Sequence, residues 1–398
     1  MSQAPVADSH ASHHGHDSLH GHSHKPAAIV DHIDDRKSMG DTPLKKFFEA
    51  AVQFGASDLL MRAGFVPQLR LKGRLKAINV DPIDEADFEH WIEASLSAAQ
   101  WAHYSEFGSI DMGIDFDIKG DIHRFRVNIF RTRGRSGIAA RRVSNEILSV
   151  EELHLPKALE NITEARAGLV LLCGVTGSGK STTIAALLDK INEDRACHIL
   201  TVEDPIEYLF TDKKAMINQR EVGLDVPDFE TALRALVREN PDVVLIGEMR
   251  DKETFEAALR AAETGHLVFG TIHASSASQA FSRIYDLFPP EEREAIRNIL
   301  AYQFVAFVYQ KLLPTLKEDL QRVPACEILL QSPPARKFIL EGREAELPSV
   351  MREAREDGMQ TFTDSLIDLV NREYIHPKVA IENASSPEEV KMKLRGIT

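Results

Sequence analysis

Residues 174–181 read Gly174, Val175, Thr176, Gly177, Ser178, Gly179, Lys180 and Ser181, and they fit the pattern G-x-x-x-x-G-K-[ST] at every position. Such a stretch is suited to gripping phosphate. Glycines let the backbone curl until several N–H groups point inward at an anion, and a helix starting there adds positive potential. Lys180 can reach β- and γ-phosphates, and the Ser181 hydroxyl is a hard ligand for Mg²⁺. Thr182 adds a second hydroxyl to the nucleotide-binding set.

The flanking residues must position this loop. The run 169–173 is short and wholly apolar, which predicts a buried parallel strand. The run 181–190 is rich in Ala and Leu and predicts a helix. Further strands are expected at 198–203, 242–247 and 266–272, with helices over about 228–239, 251–263 and 276–288. Alternating β and α elements imply a parallel sheet covered on both faces, a RecA-like α/β core.

Active groups in such sheets gather at the carboxyl ends of the strands. Three strands end in chemistry. ILTVEDPIEYLF carries Glu203, PDVVLIGEMRD carries Glu248, and GHLVFGTIHAS carries His273. Phosphoryl transfer needs charge on the phosphate oxygens and an oriented nucleophile more than it needs covalent chemistry. Glu248 fits a carboxylate acting on Mg²⁺, directly or through water. Glu203 fits a base that aligns the attacking water. Either carboxylate could instead be structural, paired with Arg250 or Lys252. His266 and His273 bracket one strand and suit a γ-phosphate sensor, although a lone histidine is more often structural.

Before this core the chain divides in two. Residues 1–40 are low complexity, with seven histidines between His10 and His24, and are read as a disordered His-rich tail. Clustered imidazoles can bind metal, yet a solvated tail has the same composition. Residues 41–147 read as a small α/β domain. A helix is expected over 43–54, a strand over 58–62, a hairpin over 69–78 turning at Gly73, and two helices over 84–107. Three strands follow at 112–118, 125–133 and 138–143, with turns at 120–121 and 134–137. The last hairpin is basic, with Arg124, Arg126, Arg131, Arg133, Arg135, Arg141 and Arg142. They form either a solvated, salt-bridged face or guanidinium groups aimed at phosphate. A linker is placed at 148–163, the ATPase core at 164–332, and a helical extension at 333–398. Within these, 291–313 is read as helix and 326–330 as a short strand.

Composition removes several classes. The net charge of −14 has the wrong sign for a general nucleic-acid binder. No apolar run approaches a membrane span, and no apolar stretch near the N-terminus resembles a signal peptide, so a cytoplasmic protein is expected. The three cysteines form no CxxC pair, and neither zinc site nor disulfide is expected.

Four motifs together resemble the type II/IV secretion-system ATPases, and most of all the PilT-like class that powers type IV pilus retraction. They are GVTGSGKSTT (174–183), TVEDPIEY (201–208), RENPDVVLIGEMRD (238–251) and TGHLVFGTIHA (264–274). RFRVNIF (124–130) resembles a strand of the family's N-terminal domain. The resemblance implies a homo-hexameric ring of PAS-like N-terminal and RecA-like C-terminal domains, using ATP and Mg²⁺. It implies that Arg126 and Arg141 act on the nucleotide. Glu203 becomes the catalytic glutamate, Glu248 the Walker B glutamate, and His266 with His273 the His-box pair. It also implies an inner-membrane pilus platform protein as partner, a possible paralogous ATPase, no nucleic acid, and a place at the cytoplasmic face of the inner membrane.

The missing CxxC pairs, and the short stretch before the small domain, favour the retraction class over assembly or secretion ATPases. Two departures stand out. Val175 replaces the proline usual in the loop. PARKFILE (334–341) stands where retraction ATPases carry AIRNLI, while the similar letters at 295–300 come too early. The second departure keeps an accessory, PilU-like ring component open as an alternative.

Overall fold

Apolar residues alternating with polar ones build the first of two sheets. A computed structural model describes residues 39–71, 73–143 and 146–396. Most of the expected disordered tail, residues 1–38, lies outside the described residues, as do residues 144 and 145 near the expected end of the first domain.

Helix α1 (Lys45–Gln53) buries Phe47, Phe48 and Ala51 along one stripe. Strands β1 (Asp58–Arg62), β2 (Gln68–Leu71) and β3 (Arg74–Ala77) follow. Helix α2 (Glu85–Ser95) starts at Asp84, whose carboxylate accepts from the N–H groups of Ala86 and Asp87. Helix α3 (Ala98–Phe107) opens on a Ser97–Gln100 capping box and closes at Gly108, in the left-handed region at φ 74°. Strands β4 (Ser109–Ile118), β5 (Asp121–Thr132) and β6 (Arg135–Arg142) complete an antiparallel sheet of order β3-β2-β1-β6-β5-β4. The β5–β6 turn is Arg133-Gly134, with φ of 52° and 76°. Gly137 lies inside β6, so the turn is tighter than the expected 134–137.

One face of this sheet packs on the helices. Phe48, Phe116 and Phe125 meet there with ring centroids 4.3, 5.0 and 5.7 Å apart. The other face carries Arg124, Arg126 and Arg141, because side chains alternate along a strand. Arg126 lies opposite Arg141 in register, and Arg141 lies opposite Asp58.

Residues 148–163, expected as a linker, belong to the second core. Val150, Leu155, Leu159 and Ile162 are buried in one cluster with Val170, Leu172 and Leu188. Strand β7 (Gly168–Cys173) leads into helix α4 (Lys180–Asp194). Then come β8 (His198–Glu203), β9 (Met216–Glu221), α5 (Phe229–Leu236), β10 (Val243–Ile246), α6 (Lys252–Glu263), β11 (Leu267–Ile272), α7 (Ala277–Asp286) and α8 (Arg293–Gln303). Strands β12 (Phe304–Pro314) and β13 (Arg322–Leu330) precede helices α9 (Pro333–Leu340), α10 (Leu347–Glu353), α11 (Phe362–Asn371), α12 (Pro377–Asn383) and α13 (Pro387–Leu394). The sheet order is β13-β12-β7-β11-β10-β8-β9. All neighbours are parallel except β12 and β13. This is a RecA-like α/β core.

Two expectations need correction here, and one strand has no counterpart among them. The helix expected through 313 stops at Gln303, and residues 304–314 form β12 instead. Phe304, Ala306, Phe307 and Val308 are buried between β7 and β13, and pairing on both sides overrides local propensity. The strand expected at 326–330 begins at Arg322. It admits Pro324 because β13 is an edge strand. Strand β9, MINQRE, has no apolar pattern to announce it, because it is the opposite edge.

Truncating Phe116 tests the first core. Phe116→Ala should cost about 3–5 kcal/mol. The check is a lower urea midpoint at unchanged denaturant slope.

Candidate active site

The loop after β7 leaves a strand whose six residues are all buried. Gly174, Gly177 and Gly179 take φ of 146°, 77° and 89°, which L side chains resist. Two of them also touch a neighbour. A Cβ on Gly174 would fall 2.5 Å from the Gln310 carbonyl oxygen, and one on Gly179 would fall 2.7 Å from Gln310 Nε2. Gln310, on β12, supports the loop from beneath. Its Nε2 donates to the Ser178 carbonyl at 2.9 Å, and its Oε1 accepts from the Thr183 hydroxyl at 2.8 Å. This residue is not among those expected from the sequence, where its segment reads as helix. The available signal was one amide inside the apolar run FVAFVYQKLL.

Lys180 Nζ donates to the carbonyls of Gly174 and Val175 at 2.9 and 3.1 Å. Burial holds its ammonium below the usual lysine range, while Glu248 and Glu207 pull the other way. Ser181 is half-buried at the helix start, and the next residue, Thr182, shares a 2.8 Å hydrogen bond with the Tyr208 hydroxyl. Val175, Thr176 and Gly177 form the exposed crest.

The parallel register brings three more groups to the same edge. Glu203 ends β8 and is 7% exposed. Its Oε1 accepts from Thr201 at 2.7 Å and from Gln219 at 3.3 Å, and its Oε2 from the Glu207 N–H at 3.4 Å. Burial outweighs these bonds and pushes its carboxyl up to about 7. Glu248 follows β10 and behaves oppositely. A hydrogen bond from Arg250 holds it below the usual carboxylate range. Its Oε1 also stands 3.1 Å from His273 Nε2. Lys252 pairs with Glu292 and leaves both carboxylates alone.

Three expected residues are not brought to this edge. His266 precedes β11 and so lies at the far end of the strand from His273. Its Nδ1 bonds the Ala261 carbonyl at 2.9 Å, at the end of α6, which is the structural role of a lone histidine. Arg126 and Arg141 line a shallow cavity of about 250 Å³ on the first sheet, with Asp58, Asp111 and Asn128. Arg141 Nε donates to Asp58 at 3.0 Å. Among the described residues neither arginine contacts the loop at 174–181.

No three His, Cys, Asp or Glu side chains cluster to hold a metal by themselves among the described residues. The donors that do lie at the edge, a hydroxyl and a carboxylate, are hard oxygens and suit Mg²⁺ shared with phosphate. No helix among the described residues is long and apolar enough to cross a membrane.

Comparison with known proteins agrees with this geometry. A family model described as type II/IV secretion system protein matches residues 110–361. The chain is 40% identical to the type IV pilus retractation ATPase PilT of Pseudomonas aeruginosa over 334 residues, 84% of this chain and 96% of that one. It is 35% identical to the type IV pilus ATPase PilU of the same species over 351 residues, 88% and 91% of the two chains. The crystal structure of the pilus retraction motor PilT with bound ADP matches at TM-score 0.80 and 38% identity, over 87% of this chain and 98% of that chain.

The support beneath the loop can be removed. Gln310→Leu strands the Ser178 carbonyl and the Thr183 hydroxyl without partners, at about 1–3 kcal/mol each. ADP affinity, measured by calorimetry, should fall roughly tenfold or more as the loop loses its shape.

Proposed function

This chain belongs to the type II/IV secretion system protein family, and from that premise we propose that it is an ATP-hydrolysing homo-hexameric motor that powers type IV pilus retraction. One observation carries the hydrolytic part. A carboxylate with its titration raised to about 7 sits on the sheet edge that also holds Lys180 and Glu248. A base so tuned is half ionised at neutral pH and still strong enough to take a proton.

In this reading the N–H groups of residues 174–182 and the Lys180 ammonium bind the phosphates. Glu203 orients the attacking water and accepts its proton. Ser181 and Glu248 are the residues that would hold Mg²⁺, which when bound supplies Lewis-acid charge to the phosphate oxygens. Arg250 keeps Glu248 anionic for that task. His273, which stands beside Glu248, senses the γ-phosphate in this reading. Arg126 and Arg141 reach the nucleotide when the first domain rotates on the second or when a neighbouring copy presents them. In the cell the ring would act on an inner-membrane platform protein at the cytoplasmic face.

A second reading is favoured by the sequence of α9. There PARKFILE stands in place of AIRNLI, and the relative PilU matches 88% of the chain. In that reading the ring binds nucleotide and serves a paralogous motor.

Steady-state ATP hydrolysis across protein concentrations separates the two. A motor shows specific activity that rises with concentration. It is lost in Lys180→Ala and Glu203→Gln, and reduced roughly 10³-fold in Arg126→Ala or Arg141→Ala. Nucleotide binding without turnover at any concentration establishes the accessory reading. For the wild type, kcat/KM should fall about tenfold per unit as pH drops below about 7, because Glu203 then carries its proton. A flat profile through that range removes Glu203 as the base.

A further inference from the structure

Arg124 and Arg126 stand on the same face of β5, yet only Arg126 is exposed. Arg124 is 6% exposed because β9 covers it. Its Nη1 donates to both carboxylate oxygens of Asp115 at 3.0 and 3.1 Å, and its Nη2 to Glu221 Oε2 at 2.6 Å. Glu221 ends β9 and is 3% exposed. The same Oε2 accepts from the Ile206 N–H at 3.2 Å. Ile206 precedes Glu207, whose N–H reaches Glu203. One ion pair therefore joins the two sheets and ties down the segment that shapes the environment of Glu203.

Gly113 makes room for this pair. A Cβ there would fall 2.4 Å from Arg124 Nη2 and 2.6 Å from Glu221 Oε1. A side chain there would force one of these two buried ends to shift.

We propose that Arg124 is a positioning residue for ATP hydrolysis: by pairing with Glu221 it seats the first sheet on β9 and fixes residues 204–207 against Glu203. The proposal rests on Glu203 being the base. Its physical logic lies in burial. Removing one partner of a buried pair leaves the other charge uncompensated, so Glu221 must take up a proton or swing to water. If it swings out, the Ile206 N–H loses its acceptor and water reaches Glu203. Among the described residues the charged group acting on Glu203 is Glu207, and the other groups facing it, Thr201 and Gln219, are neutral.

The test is kcat, KM for ATP and the pH profile of the full chain, for Arg124→Ala, Arg124→Lys, Glu221→Gln and Gly113→Ala, beside Glu203→Gln. Expected for Arg124→Ala and Gly113→Ala is a kcat lower by roughly tenfold or more, with KM for ATP within about threefold of wild type. The pH midpoint should move below about 7 as water relieves the burial of Glu203. Arg124→Lys should recover part of both effects. A pair that is structural only would lower thermal stability and leave kcat and the midpoint at wild-type values, which overturns the proposal. If Arg124→Ala does not fold, Gly113→Ala and Glu221→Gln decide the matter by the same readouts, since each disturbs the pair while keeping the arginine. Wild-type turnover in Glu203→Gln overturns the base assignment and the proposal with it. That outcome is distinct from Arg124 variants that turn over normally while Glu203→Gln is dead.

Discussion

A parallel strand buried on both faces must find every backbone partner in the strands beside it, and β7 is that strand here. Its neighbours are β11 and β12, paired along nearly its whole length. This constraint fixes where the chain leaves the sheet at Gly174. It also fixes what lies near that exit, because β10 and β8 follow β11 in continuous parallel register. Phosphate-loop, carboxylates and His273 share an edge because the backbone hydrogen bonds of one apolar strand leave them no other arrangement. Gln310 extends the same logic, since β12 is both the pairing partner of β7 and the support of the loop.

Two carboxylates on that edge illustrate how environment divides chemistry between identical groups. Glu203 is enclosed and bonded by neutral donors, so desolvation dominates and its carboxyl titrates near neutrality. Glu248 is partly open to water and carries a guanidinium, so it stays anionic. The proposed base and the proposed metal-side ligand are thus separated by burial and one arginine, not by residue type.

The sequence made the loop, the strand ends and the helices of the core legible because each has a local signal: glycine spacing, an apolar run, an Ala- and Leu-rich period. Glu203, Glu248 and His273 are legible as candidates because each stands at or just past the end of a buried strand. What stayed hidden depends on partners far away in the chain. Phe304 to Pro314 reads as helix until β7 and β13 flank it. Strand β9 is mostly polar and lies at the sheet edge, and only its pairing with β8 makes it a strand. His266 and His273 look equivalent around one strand, but a strand has two ends and only His273 stands at the end that carries the phosphate-loop. Arg124 and Arg126 look equivalent by alternation as well, and only the docking of β9 on one of them sets them apart.

That last distinction bears on how such a face can work in a motor. Arg141 is paired with Asp58 but its side chain is 74% exposed, and an exposed ion pair contributes little and is easily exchanged. Arg126, across the ladder, has no ion-pair partner among the described residues. Arg124 is enclosed between two carboxylates and cannot leave without stranding Glu221. One sheet face therefore presents a fixed guanidinium and two movable ones. The fixed one can hold a domain to its neighbour while the movable ones remain available to an anion, and a surface built the other way round could do neither.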